Sequence, residues 1–406
     1  MKRRITKKNS GEEEPPASEE EFDDTKNWDQ YKTVETNQVK KSDFWTRFWS
    51  AIILAVSFII ICWNGIRPTV LLVNALQFAL FKELLDVRYR SAVEKEIPWF
   101  RTLHWGWFIS AMFYTYAPQV ISLFIPTLPQ LEVVLKYHSL IGIILYSFNF
   151  VLFVLCLKKG CLKYQISQLA WTLLNIVLVV LQTSSMITNM SEGMIWFFFP
   201  VFLVCINDTT AYLFGRTFGR KFIKQSLTPL SPKKSWEGFI GGFICTVIIA
   251  FYSPYIWKLI PRWYCPYDNY TCDLPAFLIP TEYALPEIIQ TITGKASVTL
   301  LPLQLHGLCL GFFASLVSPF GGLFASAIKR AYGKKDFNNI IPGHGGLMDR
   351  LDCQLIMIMF TGVYYNTFVK TTAVDLVQVS ETISHLSTHD QEILLAMLTN
   401  ILENKH

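Results

Sequence analysis

The chain has 406 residues, of which 51% are hydrophobic, 15% aromatic and only 17% charged. Soluble domains carry roughly 25% charged residues, so the composition excludes an ordinary soluble protein and points to one whose middle faces lipid. A formal net charge of +5 gives no sign of a nucleic-acid partner.

Residues 1–43 open basic (Lys2, Arg3, Arg4, Lys7, Lys8) and turn acidic (Glu12, Glu13, Glu14, Glu19, Glu20, Glu21, Asp23, Asp24). So little apolar surface cannot offset the entropy of ordering, and the segment is expected to be a disordered tail. The first apolar run begins near Trp45, behind that tail, and reads as a membrane anchor rather than a cleaved leader. Apolar runs of spanning length then recur at about 45–64, 66–82, 103–125, 137–157, 164–183, 194–215, 238–260, 303–321 and 352–370. They predict an all-α, polytopic membrane domain over 44–370 with about nine transmembrane helices. The eighth run carries Gly307, Gly311, Pro319, Gly321 and Gly322, so its end is expected to be broken. In the tail 371–406, Ile393, Leu394, Met397, Leu398, Ile401 and Leu402 recur at the spacing of a short amphipathic helix.

Loop charge orients the chain. Lys82, Arg88, Arg90, Lys95 and Arg101 fall in one loop, and Lys158, Lys159 and Lys163 in the next on that side. Arg216, Arg220, Lys221, Lys224, Lys233 and Lys234 fill a third, and Lys329, Arg330, Lys334, Lys335 and Arg350 a fourth. The alternate loops are poor in Lys and Arg, which puts the basic loops and the N-terminus in the cytosol and the C-terminal tail on the far side. The sequons at Asn189 and Asn269 fall in far-side loops, as do Cys265 and Cys272, in an insertion over about 261–302 where an oxidising lumen would allow a disulfide. A third sequon match, at Asn207, lies inside an apolar helix and is expected to be spurious.

The densest polar cluster runs from Ser326 through Lys329-Arg330, Lys335-Asp336 and Pro342-Gly343-His344-Gly345-Gly346 to Asp349-Arg350-Leu351-Asp352. Asp349 and Asp352 are three apart, so at a helix start they share one face. Paired carboxylates suit Mg²⁺, which takes one or two of them plus substrate phosphate oxygens. Lys and Arg beside them suit a polyphosphate, and the glycines around His344 let backbone N–H groups approach an anion. His344 itself titrates near neutral pH and reads equally as an acid–base group, an anion contact or loop structure. The second cluster starts with Asn207-Asp208 in the cytosolic half of the sixth helix, where an intramembrane Asp marks a site. It continues through Gly215-Arg216 and Gly219-Arg220 to Ser231-Pro232-Lys233-Lys234-Ser235-Trp236-Glu237-Gly238. Glu83, just past the second helix, is either a third candidate or an ordinary interfacial glutamate.

The run Ser326-x-x-Lys329-Arg330-x4-Lys335-Asp336, followed by His344-Gly345-Gly346-x-x-Asp349-Arg350-x-Asp352, resembles the signature of the phosphatidate cytidylyltransferase (CDP-diacylglycerol synthase) family. The segment from Asn207-Asp208 to Gly215, with Ser231 to Gly238, is similar to a second stretch of that family, and the insertion with Cys265 and Cys272 looks like its eukaryotic branch. The resemblance covers roughly residues 45–370. It implies the reaction CTP + phosphatidate → CDP-diacylglycerol + pyrophosphate, Mg²⁺ dependence, an endoplasmic reticulum membrane and a homodimer. On this reading Asp336, Asp349, Asp352 and Asp208 are expected at the metal. Lys329, Arg330, His344 and Arg350 are expected at the reacting phosphates, and Ser231, Lys233, Lys234, Asn207, Gly345 and Gly346 at the substrates. Two rivals differ in chemistry. A CTP-dependent polyprenol (dolichol) kinase would release CDP, and a transporter would need midplane charges and internal repeats, whereas here the charges gather at one face and no repeat is visible.

Overall fold

The computed structural model describes residues 44–88, 97, 99–265, 272–285, 287, 290–291, 294–338, 340–341, 345–370, 383 and 386–403, without the side chains of 44, 46, 47, 233 and 400–403. The acidic tail, Asn269, His344 and the Lys233 side chain therefore lie outside the described residues.

The first compact unit ends at Gly362. Its helices are α1 (Phe44–Trp63), α2 (Ile66–Val87), α3 (Phe100–Phe124), α4 (Leu131–Leu155), α5 (Leu162–Ile176), α6 (Met186–Ser191), α7 (Ile195–Thr217), α8 (Trp236–Tyr252), α9 (Pro302–Leu316), α10 (Pro319–Ala331) and α11 (Met348–Tyr364). Each predicted apolar run falls on one or more of these helices. Among the described residues, five helical stretches are long and apolar enough to cross a membrane: Leu131–Leu155, Leu162–Ser191, Ile195–Thr217, Trp236–Trp257 and Pro302–Ala331. The expectation of a purely helical chain needs amending. An antiparallel hairpin pairs β1 (Ser226–Thr228) with β2 (Ser231–Ser235), and another pairs β3 (Thr281–Ala284) with β4 (Ser297–Leu300). The second compact unit, from Val363, contains α12 (Thr388–Glu403), where the amphipathic spacing predicts a helix.

Small residues set the closest approaches. A side chain at Gly241 would lie 2.3 Å from the Phe214 ring, and one at Gly242 would lie 2.9 Å from Ala211 Cβ and 3.0 Å from Asn207 Oδ1. This glycine seam lets α8 press against α7. Gly307 and Gly311 do the same for α9 against Ala250 of α8. Helix α9 stops at Leu316 and α10 begins at Pro319, so the expected break is present. The buried Ser318 hydroxyl in that break donates to Cys353 O at 2.7 Å, which satisfies a carbonyl of α11. In the other half of the unit, α5 ends in a π turn, Val177–Leu181. Tyr116 of α3 donates to Val180 O at 2.9 Å, and Gln77 of α2 donates to Tyr116 Oη at 2.8 Å and Thr183 Oγ1 at 2.7 Å. The turn's loosened carbonyls thus find donors inside the protein.

Basic segments meet at one end. Arg88 donates to Ser167 at the start of α5 and lies 5.9 Å from the centroid of the Tyr332 ring after α10, while Lys334 donates to Asp86 O at 3.1 Å. At the other end Arg262 donates to Trp63 O at 3.0 Å, closing the end of α1 with a cation. Cys265 and Cys272 are disulfide-bonded there. Asn189, the acceptor of the first far-side sequon, sits in α6 at 2% exposure, which leaves a sugar no room. Asn207, at 3% exposure against α8, is equally closed, as its position in the helix predicts.

Candidate active site

Four segments converge where α7, the β1–β2 hairpin, α10 and α11 meet. Asp208 lies on α7, next in sequence to the Asn207 of the glycine seam. It is exposed yet desolvated by surrounding protein, as expected of a recess, and Lys234 and Arg350 lie within its electrostatic reach. Asp352, one turn into α11, feels both Asp208 and Lys234. The meeting point is marked by Gly322 of α10. A side chain there would lie 3.2 Å from Cys353 Sγ, 3.4 Å from Asp352 Oδ2 and 3.5 Å from Lys234 Nζ. The missing side chain is what admits the carboxylate and the ammonium together. The other Asp352 oxygen, Oδ1, accepts from Cys353 N at 2.7 Å. Among the described residues no hydrogen-bond donor meets Asp208, and no three acidic, His or Cys side chains form a ready metal cage.

The hairpin delivers Lys234. Ser235 caps α8 by accepting from Gly238 N at 3.2 Å. Glu237 accepts from Arg220 N at 3.1 Å, Phe222 N at 3.0 Å and Ile223 N at 2.7 Å, and Arg220 in turn donates to Pro232 O. The turn after α7 is thereby pinned to the hairpin. Glu237 was visible in the sequence only as part of the Trp-Glu-Gly run.

Helix α11 starts from a different set of partners. Asp349 forms a buried ion pair with Lys329 of α10, their side chains being 6% and 11% exposed. Its Oδ2 also accepts from Phe337 N and Gly346 N, both at 3.1 Å. Glu83, 1% exposed at the end of α2, accepts from Leu347 N and Met348 N, both at 2.9 Å. The N–H groups at the start of α11, which have no partner within the helix, are therefore met by carboxylates from inside the protein. Gly345, at φ +85°, and Gly346 fold the chain so tightly that an added side chain at Gly345 would lie 3.5 Å from Asp336 Oδ1 and 3.3 Å from Asp349 Oδ2.

Several sequence expectations change accordingly. Asp349, expected beside Asp352 at a metal, has three of its four lone-pair directions used, one of them by an ammonium. Lys329 is spent on that pair, and Arg330 donates to Lys334 O at 2.9 Å, closing the end of α10. Gly346 gives its N–H to Asp349 rather than to an anion. Asn207, expected at the substrate, accepts from Thr246 Oγ1 at 3.4 Å on α8. Ser231 opens β2 opposite Thr228. Asp336 is exposed and adjoins the Gly345 corner, and Arg350 is exposed beside Asp208.

Comparison with known proteins places the chain in a family. The model of the cytidylyltransferase family matches residues 45–368. A "Probable phosphatidate cytidylyltransferase" of Dictyostelium discoideum is 41% identical over 346 residues, covering 82% of this chain and 72% of the relative. "Phosphatidate cytidylyltransferase 1" of Rattus norvegicus is 39% identical (81% and 74% covered), and that of Arabidopsis thaliana is 35% identical (90% and 89% covered). The matched region holds both polar clusters and every helix from α1 to α11, and the chain therefore belongs to the cytidylyltransferase family.

Proposed function

We propose that this membrane enzyme transfers a cytidylyl group from CTP to phosphatidate, giving CDP-diacylglycerol and pyrophosphate for phospholipid synthesis. The observation that carries the assignment of the site is the convergence of Asp208, Lys234, Arg350 and Asp352 from three distant segments around Gly322.

A phosphate oxygen of the lipid attacks the α-phosphorus of CTP, and the bond from that phosphorus to the β-phosphate bridging oxygen breaks. The lipid phosphate is a nucleophile at neutral pH, so no dedicated base is needed. Both reactants are anions, so positioning and charge neutralisation supply most of the acceleration. Lys234 and Arg350 draw the triphosphate into the recess, and the leaving pyrophosphate departs past the same cations. Lys233 and His344 join them on the strength of the signature alone. Asp208 and Asp352 are the pair we assign to Mg²⁺, because two carboxylates without a full protein cage leave coordination positions for phosphate oxygens. When bound, the ion would shield the triphosphate charge and polarise the P–O bond. Asp336, beside the Gly345 corner, joins the metal site on the strength of the signature alone, and Asp349 orients the loop.

Nine crossings of the endoplasmic reticulum membrane, with the N-terminus and the basic loops on its cytosolic side, complete the reading. The meeting of basic segments at one end supports it, since CTP is cytosolic and phosphatidate cannot leave the bilayer. A homodimer rests on the resemblance alone. The test is purified protein with CTP, phosphatidate and Mg²⁺, both products being identified. CDP-diacylglycerol with pyrophosphate is expected, whereas release of CDP would make the enzyme a kinase.

A further inference from the structure

We infer that Glu83 is a positioning residue for cytidylyl transfer: from the end of α2 its buried carboxylate sets where α11, and with it Asp352, stands. This rests on the reading of Asp352 as a metal ligand. Glu83 is 265 residues away from Met348 in sequence, yet its two oxygens take the two adjacent N–H groups at Leu347 and Met348. A carboxylate is the one side chain that offers two acceptors at this spacing with no donor, and its negative charge suits a helix N-terminus.

The contact is part of a clamp on both ends of one loop. Residues 334–347 contain Asp336 and the Gly345-Gly346 corner. At the far end Lys334 Nζ donates to Asp86 O at 3.1 Å, and Arg88 packs against Tyr332 and Trp171, whose rings meet edge to face at 5.7 Å. At the near end stands Glu83. One turn of α2 thus fixes where the loop begins and where α11 starts. Gly346 is part of the fit, because a side chain there would come within 3.1 Å of Glu83 Oε2 and 2.9 Å of Asn338 N.

The test is Glu83→Gln in full-length protein in detergent. The amide keeps the shape but replaces one acceptor by a donor facing an N–H. Its melting temperature should fall only modestly, because one buried N–H loses its acceptor, while kcat falls and the Mg²⁺ concentration for half-maximal activity rises by about tenfold or more, as for partners behind a metal ligand. KM for CTP should move far less. In metal-free protein, alkylation of the buried Cys353, read by peptide mass mapping, should accelerate as the start of α11 loosens. Asp86→Asn is the control: it removes only the surface pair with Arg101 and leaves the carbonyl that Lys334 uses, so the Mg²⁺ midpoint should not move. If Glu83→Gln does not fold, Glu83→Asp, which keeps the carboxylate but draws it back from the two N–H groups, tests the same contact with the same expected shift. A wild-type Mg²⁺ midpoint and wild-type Cys353 alkylation in the folded variant would overturn the inference. A wild-type enzyme indifferent to Mg²⁺ would instead overturn the metal assignment.

Discussion

The Lys329 ammonium and the Asp349 carboxylate meet in a buried ion pair that ties the last turn of α10 to the first turn of α11. Removing one partner leaves the other charged and buried, which costs on the order of 3–5 kcal/mol. Asp349→Asn should therefore lower the thermal midpoint of the chelator-treated protein as well as its turnover. An unchanged midpoint with turnover abolished would make Asp349 a metal ligand rather than a scaffold residue.

Asp208 and its neighbour Asn207 should behave in opposite ways. Asp208→Asn and Asp352→Asn should each cost about 100-fold or more in kcat, the size of loss seen when a preorganised charge-stabilising group is removed. Neither should lower the melting temperature by much, since each removes repulsion between two carboxylates together with attraction to Lys234. Asn207→Ala should leave turnover intact and cost about 0.5–1.5 kcal/mol of stability through its lost contact with Thr246. Steady-state kinetics and melts on the three variants check this together.

Two glycines separate folding from chemistry. Gly241→Val would drive a side chain into the Phe214 ring and should abolish folded protein by size-exclusion chromatography. Gly322→Val would push between Asp352 and Lys234, and should give folded protein whose KM for CTP rises well before its midpoint falls.

Asn189 should carry no glycan. Asn189→Gln should leave gel mobility unchanged, with or without glycosidase, because the side chain is 2% exposed in α6. A mobility shift in the wild type that this variant removes would mean that α6 is displaced in the membrane.

Apolar runs locate the helices and polar motifs name the residues that the fold brings together, because both are local signals: a run of lipid-facing residues, and carboxylates with cations on one loop. What stayed illegible was the pairing. Asp349 and Asp352 are three apart on one helix, and the sequence offers them as equals. The fold separates them, since Lys329 arrives beside one and Lys234 beside the other. Asn207 and Asp208 diverge for a similar reason, one facing the α8 seam and the other the recess. Glu83 stayed open between a site candidate and an interfacial glutamate because its partners are two backbone N–H groups, which leave no mark in sequence. The hairpin holding Lys234 was hidden too, being short and polar.

The clamp between α2 and α11 also has a history during synthesis. Glu83 enters the membrane long before Met348 is made; at 5–20 residues per second the interval is on the order of tens of seconds. Throughout that time its carboxylate lacks the two N–H groups that will hold it. The early helices must therefore keep the acid wet at the bilayer edge until the last helix of the first unit arrives to cover it. A nascent chain stopped before residue 348 would be inserted but inert, and assembly of the site is the closing event of biogenesis.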